Sequence, residues 1–257
     1  LLCLIGQGMD KIDILLEKVT KGYLEQDVAY EIPISIYPAN SDKIIIIAPG
    51  AGESKDGHKN RWAKLGRYLQ NESVGTVVTY HHPQPDAQGK YPDEPYSYKD
   101  ASWNKLVVES LDYVIEYSLN HSIEICNSVT PSIYLAGFSA GGSACGAVAP
   151  FYPEVRKILM ISAYDSVGIY FYEGISRFTG EIYMTYGSED PIAVFLAYSM
   201  RFTAREASLL HTQEIQNCKH GFAGATNSKI LSNAFKWAFA GDTNFPSPDG
   251  GLLLYED

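Results

Sequence analysis

The stretch YLAGFSAGGSACGA, Tyr134 to Ala147, sets one serine among glycines directly after an apolar run. Two readings compete for it. A tight turn of small residues, packing a helix onto a sheet, accounts for the glycines alone. A sharp strand-to-helix corner that pushes Ser139 outward accounts for the glycines and the hydroxyl together. Gly137-Phe138-Ser139-Ala140-Gly141 matches G-x-S-x-G, in which the serine takes a strained backbone conformation and its neighbours two places away must be small. The helix that follows would direct its first N–H groups towards developing negative charge. Small-residue pentads also arise by chance, so the flanking segments decide.

Those segments alternate between strand and helix. KIIIIAPGAGES, from Lys43, is a continuous β-branched run, the pattern of a central strand covered on both faces. Asn60 to Glu72 reads as a helix and VGTVVTY, Val74 to Tyr80, as the next buried strand. Ser102 to Asn120 carries a helical stripe of Leu106, Val107, Leu111, Val114, Ile115 and Leu119. Strands follow at Ser132 to Ala136, Lys157 to Ser162, Glu181 to Gly187 and LLHTQEIQ, with helices from about Ala140, over Pro191 to Glu206 and over Lys229 to Ala240. Upstream, VAYEIPISIYPA alternates, with Tyr30, Ile32, Ile34 and Ile36 on one side, as a half-buried antiparallel strand does. Asp10 to Thr20 places Ile12, Leu15, Leu16 and Val19 at helical spacing and predicts a short amphipathic helix. The fold class expected is α/β, a mainly parallel sheet with helices on both faces and no large cap domain. Ligands of such sheets bind at the carboxyl ends of the strands.

Bulk properties restrict the function. The 257 residues suffice for one large domain, read as residues 10–257 with a core over about 28–240. Residues 1–9 read as a leader or an appended segment ahead of a natural start at Met9-Asp10-Lys11; Leu1 to Gly8 is too short to span a bilayer. A net charge of −10 without a basic run argues against nucleic acid or an anionic membrane as partner. Cys3, Cys126, Cys145 and Cys218 are widely scattered and form no C-x-x-C pair, which favours a reducing, cytoplasmic compartment, although the apolar N-terminus leaves secretion open. Cys145 reads as a small buried thiol in the helix after the turn.

A serine hydroxyl needs a base. Of the six histidines, only His220, in NCKHGF, falls in the last sheet-to-helix loop, at the carboxyl end of the last predicted strand. The base needs an orienting carboxylate. Asp190 in YGSEDP follows a strand at the same edge and, before Pro191, also suits a helix cap. Asp165 competes from one strand earlier and Glu189 is a third choice; Asp190 is preferred. His81-His82 lacks supporting ligands at metal spacing, so neither a metal nor a cofactor is expected.

The order Ser139, Asp190, His220 is that of the α/β-hydrolase triad. On APGAGES, GFSAGG, GSEDP and KHGF the sequence resembles the α/β-hydrolase superfamily over roughly Val28 to Ala240, and is similar in layout to small cap-poor members such as dienelactone hydrolases and related esterases. Pro49 departs from the histidine often found before the oxyanion-loop glycine. The resemblance implies catalytic Ser139, Asp190 and His220, oxyanion donors at the Ala51 and Ala140 N–H groups, and acyl-enzyme chemistry on a small-molecule ester. Gly50 and Gly52 would let the backbone approach the substrate closely. The His81 to Asp100 loop and the Tyr164 to Phe178 segment would wall the pocket, with Tyr98 and Tyr164 as substrate contacts and Tyr91, Tyr96, Trp103, Tyr170, Phe171 and Tyr172 nearby, most of them packing loops onto the body. Thioesters, lactones, peptide-like amides and acyl transfer stay open, as does a non-catalytic binding protein on the same fold.

Overall fold

The structure is a computed structural model that describes residues 11–21, 27–82 and 101–255. Eight strands form one sheet in the order β1-β2-β4-β3-β5-β6-β7-β8: β1 (Ile12–Lys21), β2 (Asp27–Tyr37), β3 (Lys43–Ala48), β4 (Thr76–Tyr80), β5 (Ser132–Phe138), β6 (Val155–Ile161), β7 (Glu181–Gly187) and β8 (Leu209–Ile215). The pairs β1–β2 and β2–β4 are antiparallel; from β4 through β3 to β8 every pair is parallel.

Strand composition accounts for the layering. Ile44 and Ile46 enter one apolar cluster while Ile45 and Ile47 enter the other, so β3 is buried on both sides, as its unbroken isoleucine run requires. The helices are α1 (Arg61–Asn71), α2 (Ala101–Asn120), α3 (Ser122–Cys126), α4 (Ala140–Val148), α5 (Ile169–Ile175), α6 (Pro191–Thr203) and α7 (Ala225–Ala240). Residues of α2, α4, α5 and α6 fill the first cluster and residues of α1 and α7 the second. Right-handed crossovers put α1 on the face opposite α2, α4, α5 and α6. From β3 the chain steps one way to β4 through α1, then back past β3 to β5 through α2, and a reversed step puts its helix on the opposite face. The reversal lies at the carboxyl ends of β3 and β5, the place where sheets of this kind bind their ligands.

Of the segment expected as a helix, Asp10 lies outside the described residues, and Lys11 to Thr20 is not helical. Residues 12–21 are β1, paired over its full length with β2, with Ile12 facing Ile36 and Leu16 facing Ile32. Ile12 and Leu15, half of the supposed helical stripe, stay exposed, while Leu16 is buried and Ile14 packs against the core. The ladder wins because β2 otherwise presents a bare edge of main-chain N–H and C=O groups. Side chains reinforce it: Asp13 accepts from the Ser35 hydroxyl at 2.5 Å and from Lys55 Nζ at 2.7 Å. Within the Tyr164 to Phe178 segment, residues 169–175 form α5. Leu254 and Tyr255 dock in the second cluster, with Lys64 Nζ donating to the Leu254 carbonyl at 2.6 Å. No helix among the described residues is long and apolar enough to cross a membrane.

Candidate active site

Ser139 sits between β5 and α4 with φ 55° and ψ −118°, a left-handed conformation that costs a non-glycine residue about 1–3 kcal/mol. Its neighbours hold it there. A Cβ on Gly137 would lie 2.4 Å from the Gly141 carbonyl carbon, and one on Gly141 would lie 2.2 Å from the Ala48 carbonyl oxygen. Absent side chains at both positions therefore let α4 turn back across the end of β5 and press against the loop after β3. The Ser139 N–H donates to the Ile161 carbonyl at 2.9 Å, tying the corner to β6. The packing of the corner and the placement of the hydroxyl are one and the same geometry, and Ser139 itself is only 6% exposed.

The acid and the histidine come from the next loops along the same edge, β7 and β8 ending level at Gly187 and Ile215. Asp190, only 4% exposed, caps α6: Oδ1 accepts from the Ala193 N–H at 3.4 Å and Oδ2 lies 2.7 Å from His220 Nδ1. A carboxylate only accepts, so Nδ1 carries the proton and Nε2 is left as acceptor. His220 Nε2 is 3.1 Å from Ser139 Oγ. The two loops are tied together, because the Glu189 N–H donates to the Cys218 carbonyl at 2.9 Å and a Cβ on Gly187 would strike that carbonyl at 2.1 Å. Asp165 is engaged elsewhere: it accepts from the Tyr172 hydroxyl at 2.7 Å, which with burial pushes that phenol up to about 12. Glu189 is exposed.

The loop after β3 is held by polar groups on both sides. The peptide joining Pro49 and Gly50 is anchored at both ends: its carbonyl accepts from His82 Nε2 at 2.9 Å and its N–H donates to Glu53 Oε2 at 3.1 Å. In the next peptide, the Gly50 carbonyl accepts from the Glu53 N–H at 3.1 Å. N–H and C=O are antiparallel in a trans peptide, so this bond turns the Ala51 N–H the other way. Gly52 has φ 75° and no atom within 4 Å of a notional Cβ, the freedom a glycine supplies at an exposed turn. Ala140, the first residue of α4, has an N–H without an intrahelical acceptor.

Ser139, Asp190 and His220 thus lie in one hydrogen-bonded chain beside Ala140, and the Gly50–Gly52 loop abuts α4 through Gly141. Tyr164 is half-buried against the first cluster. Tyr98, with Tyr91 and Tyr96, lies outside the described residues, and so does most of the loop expected to wall the pocket. Phe171 does not line it: the ring is fully buried beneath Gly146, whose notional Cβ would meet it at 2.7 Å. Neither member of His81-His82 belongs to a cluster of three metal-ligating side chains among the described residues. Sequence reasoning weighed His82 only as a metal ligand and passed over Glu53, Arg61 and Tyr255. His82 and Glu53 brace the loop after β3, and Tyr255 donates to the carbonyls of Gly221 and Phe222, next to His220.

No protein-family model and no curated protein matches the chain. Solved structures do. A dienelactone hydrolase from Anabaena variabilis superposes with a TM-score of 0.62 at 13% identity, covering 89% of this chain and 99% of its own. A monoacylglycerol lipase from Paleococcus ferrophilus gives 0.62 at 13% identity, covering 83% and 100%. The α/β hydrolase GrgF from a Penicillium species gives 0.60 at 12% identity, covering 90% and 100%. With this sheet order, these crossovers and these structural neighbours, the chain has the α/β-hydrolase fold.

Proposed function

We propose that the protein is a serine hydrolase that cleaves small or medium-sized carboxylic esters through an acyl-enzyme. The observation that carries this reading is the unbroken chain from Asp190 Oδ2 through His220 to Ser139 Oγ, at 2.7 and 3.1 Å, ending on a hydroxyl at a strained corner. His220 Nε2 takes the Ser139 proton as Oγ attacks the ester carbonyl carbon. The resulting oxyanion is received by the Ala51 and Ala140 N–H groups; loss of a single such donor costs an acyl-transfer enzyme about 10²–10³-fold in rate. The imidazolium, stabilised by Asp190, gives its proton to the departing alcohol. Water, deprotonated by the same imidazole, then releases the acid. Structural similarity to a dienelactone hydrolase and a monoacylglycerol lipase supports an ester-like substrate.

A fluorophosphonate probe tests the reading directly. The wild-type chain is expected to be labelled stoichiometrically and Ser139→Ala not at all. An unlabelled wild type would leave a non-catalytic binding protein as the better account. A panel of p-nitrophenyl esters, thioesters and lactones ranks the substrates, with the esters expected to be turned over fastest.

A further inference from the structure

Arg61 is buried to 3% exposure although its guanidinium is permanently charged. A buried charge of this kind persists only where it is paired and hydrogen-bonded. Its contacts lead to three parts of the candidate site. Nη2 donates to Glu53 Oε1 at 2.6 Å, and the other oxygen of that carboxylate accepts from the Gly50 N–H at 3.1 Å and from Trp62 Nε1 at 3.2 Å. Nη1 reaches the Gly221 carbonyl at 3.5 Å, the same carbonyl that accepts from the Tyr255 hydroxyl. The guanidinium lies over the Phe138 ring, 4.0 Å from its centroid, and that ring is 5.2 Å from the His220 ring. Phe138 directly precedes Ser139.

We propose that Arg61 is a positioning residue that holds the oxyanion loop and the histidine loop in a fixed relation to the nucleophile, with Glu53 and Tyr255 as its two arms. This rests on the serine-hydrolase reading above. Through Glu53, Arg61 fixes the Pro49–Gly50 peptide, and the Glu53 backbone N–H fixes the next one, so the direction of the Ala51 N–H depends on where Glu53 is held. Through Gly221, Arg61 and Tyr255 fix the turn that follows His220. Tyr255 comes from the end of the described chain, so the tail is part of the site's support. None of these side chains exchanges a proton with substrate. Their effect is on the alignment of groups that act in the transition state, which appears in kcat and leaves KM almost unchanged.

The test uses the full chain with Glu53→Gln, Tyr255→Phe, the double variant, and Arg61→Lys. Arg61→Lys keeps the charge and loses the planar fork that reaches both loops. On a p-nitrophenyl ester, Glu53→Gln is expected to lower kcat about 10-fold or more and Tyr255→Phe about 3- to 10-fold, each with KM within about twofold. The double variant should lose less than the product of the two, because Glu53 pairs with Arg61 and Tyr255 shares the Gly221 carbonyl with it, so both belong to one hydrogen-bonded cluster. Affinity for a boronic acid that forms a tetrahedral adduct should fall in parallel with kcat. Arg61→Lys should resemble Glu53→Gln rather than restore the rate. If folded Tyr255→Phe and Glu53→Gln keep kcat and boronate affinity within twofold, while the wild type is labelled by fluorophosphonate, the positioning role is wrong and the hydrolase reading stands. Loss of thermal stability with an unchanged kcat likewise overturns it, reducing the cluster to a structural brace. A wild type that the probe does not label removes both.

Discussion

At the scale of single residues, the two candidate acids differ in what their oxygens touch. Asp190 splits its carboxylate between the first turn of α6 and His220, whereas Asp165 is held by a tyrosine hydroxyl seven residues away. Asp190→Asn therefore offers His220 Nδ1 an amide in place of a carboxylate and removes the preference for the reactive tautomer. Its kcat on a p-nitrophenyl ester is expected to fall about 10⁴-fold, and that of Asp165→Asn to stay within about threefold. A loss confined to Asp165→Asn would reverse the assignment. That Ser139, Asp190 and His220 meet at one sheet edge was legible because each sits in a short local pattern that ends a strand. Arg61 was not. What makes it informative is its approach to Gly221, 160 positions away, which no local pattern encodes. Tyr255 was equally silent, since its aromatic character predicts docking and says nothing of the carbonyls it reaches.

At the scale of elements, the corner between β5 and α4 shows how packing and chemistry constrain each other. Gly141→Ala would put a methyl group 2.2 Å from the Ala48 carbonyl oxygen and 2.6 Å from that of Pro49, both main-chain atoms of β3 and the loop that follows it. Backbone cannot swing aside as a flexible side chain does, so the expected cost is about 3 kcal/mol, the upper end for overpacking. In a chain of this size that lowers Tm by roughly 6–12 °C in a thermal melt. Activity should fall by more than stability explains, because the displaced segment carries the Ala51 N–H. A variant with unchanged Tm and kcat would contradict the packing described for α4. The element misread in the sequence, β1, carries a related lesson. Its apolar spacing suits a helix, but spacing measures only which side chains share a face. The deciding factor was the unpaired edge of β2, a property of another segment. The parallel core was legible for the opposite reason: runs such as that of β3 are apolar on both faces and admit few alternatives.

At the scale of the whole molecule, the polar support beneath the loop after β3 has a pH signature. His82 is 2% exposed, lies 5.1 Å from the Tyr80 ring and 3.3 Å from Ser110 Oγ, and has its pKa lowered to about 4. Burial is the main cause; the bond to the Pro49 carbonyl pulls the other way, and neighbouring His81 adds to the depression. His81 is itself lowered, by burial and then by Lys55. In the unfolded chain a histidine binds its proton near pH 6.5, so between that pH and about 4 the unfolded state holds a proton on this residue that the folded state lacks. Stability then falls as pH falls across that window, by about 3 kcal/mol from His82 alone, and this contribution levels off once the folded form is protonated too. Above pH 6.5 it is constant. His82→Gln keeps an amide N–H near the place of Nε2 and removes the titration. Urea unfolding at several pH values should therefore give a wild-type stability that drops between pH 6.5 and 4, with a visibly shallower slope for His82→Gln. Parallel slopes for the two proteins would mean that His82 titrates normally in the folded state, and that a buried neutral imidazole does not hold the loop after β3.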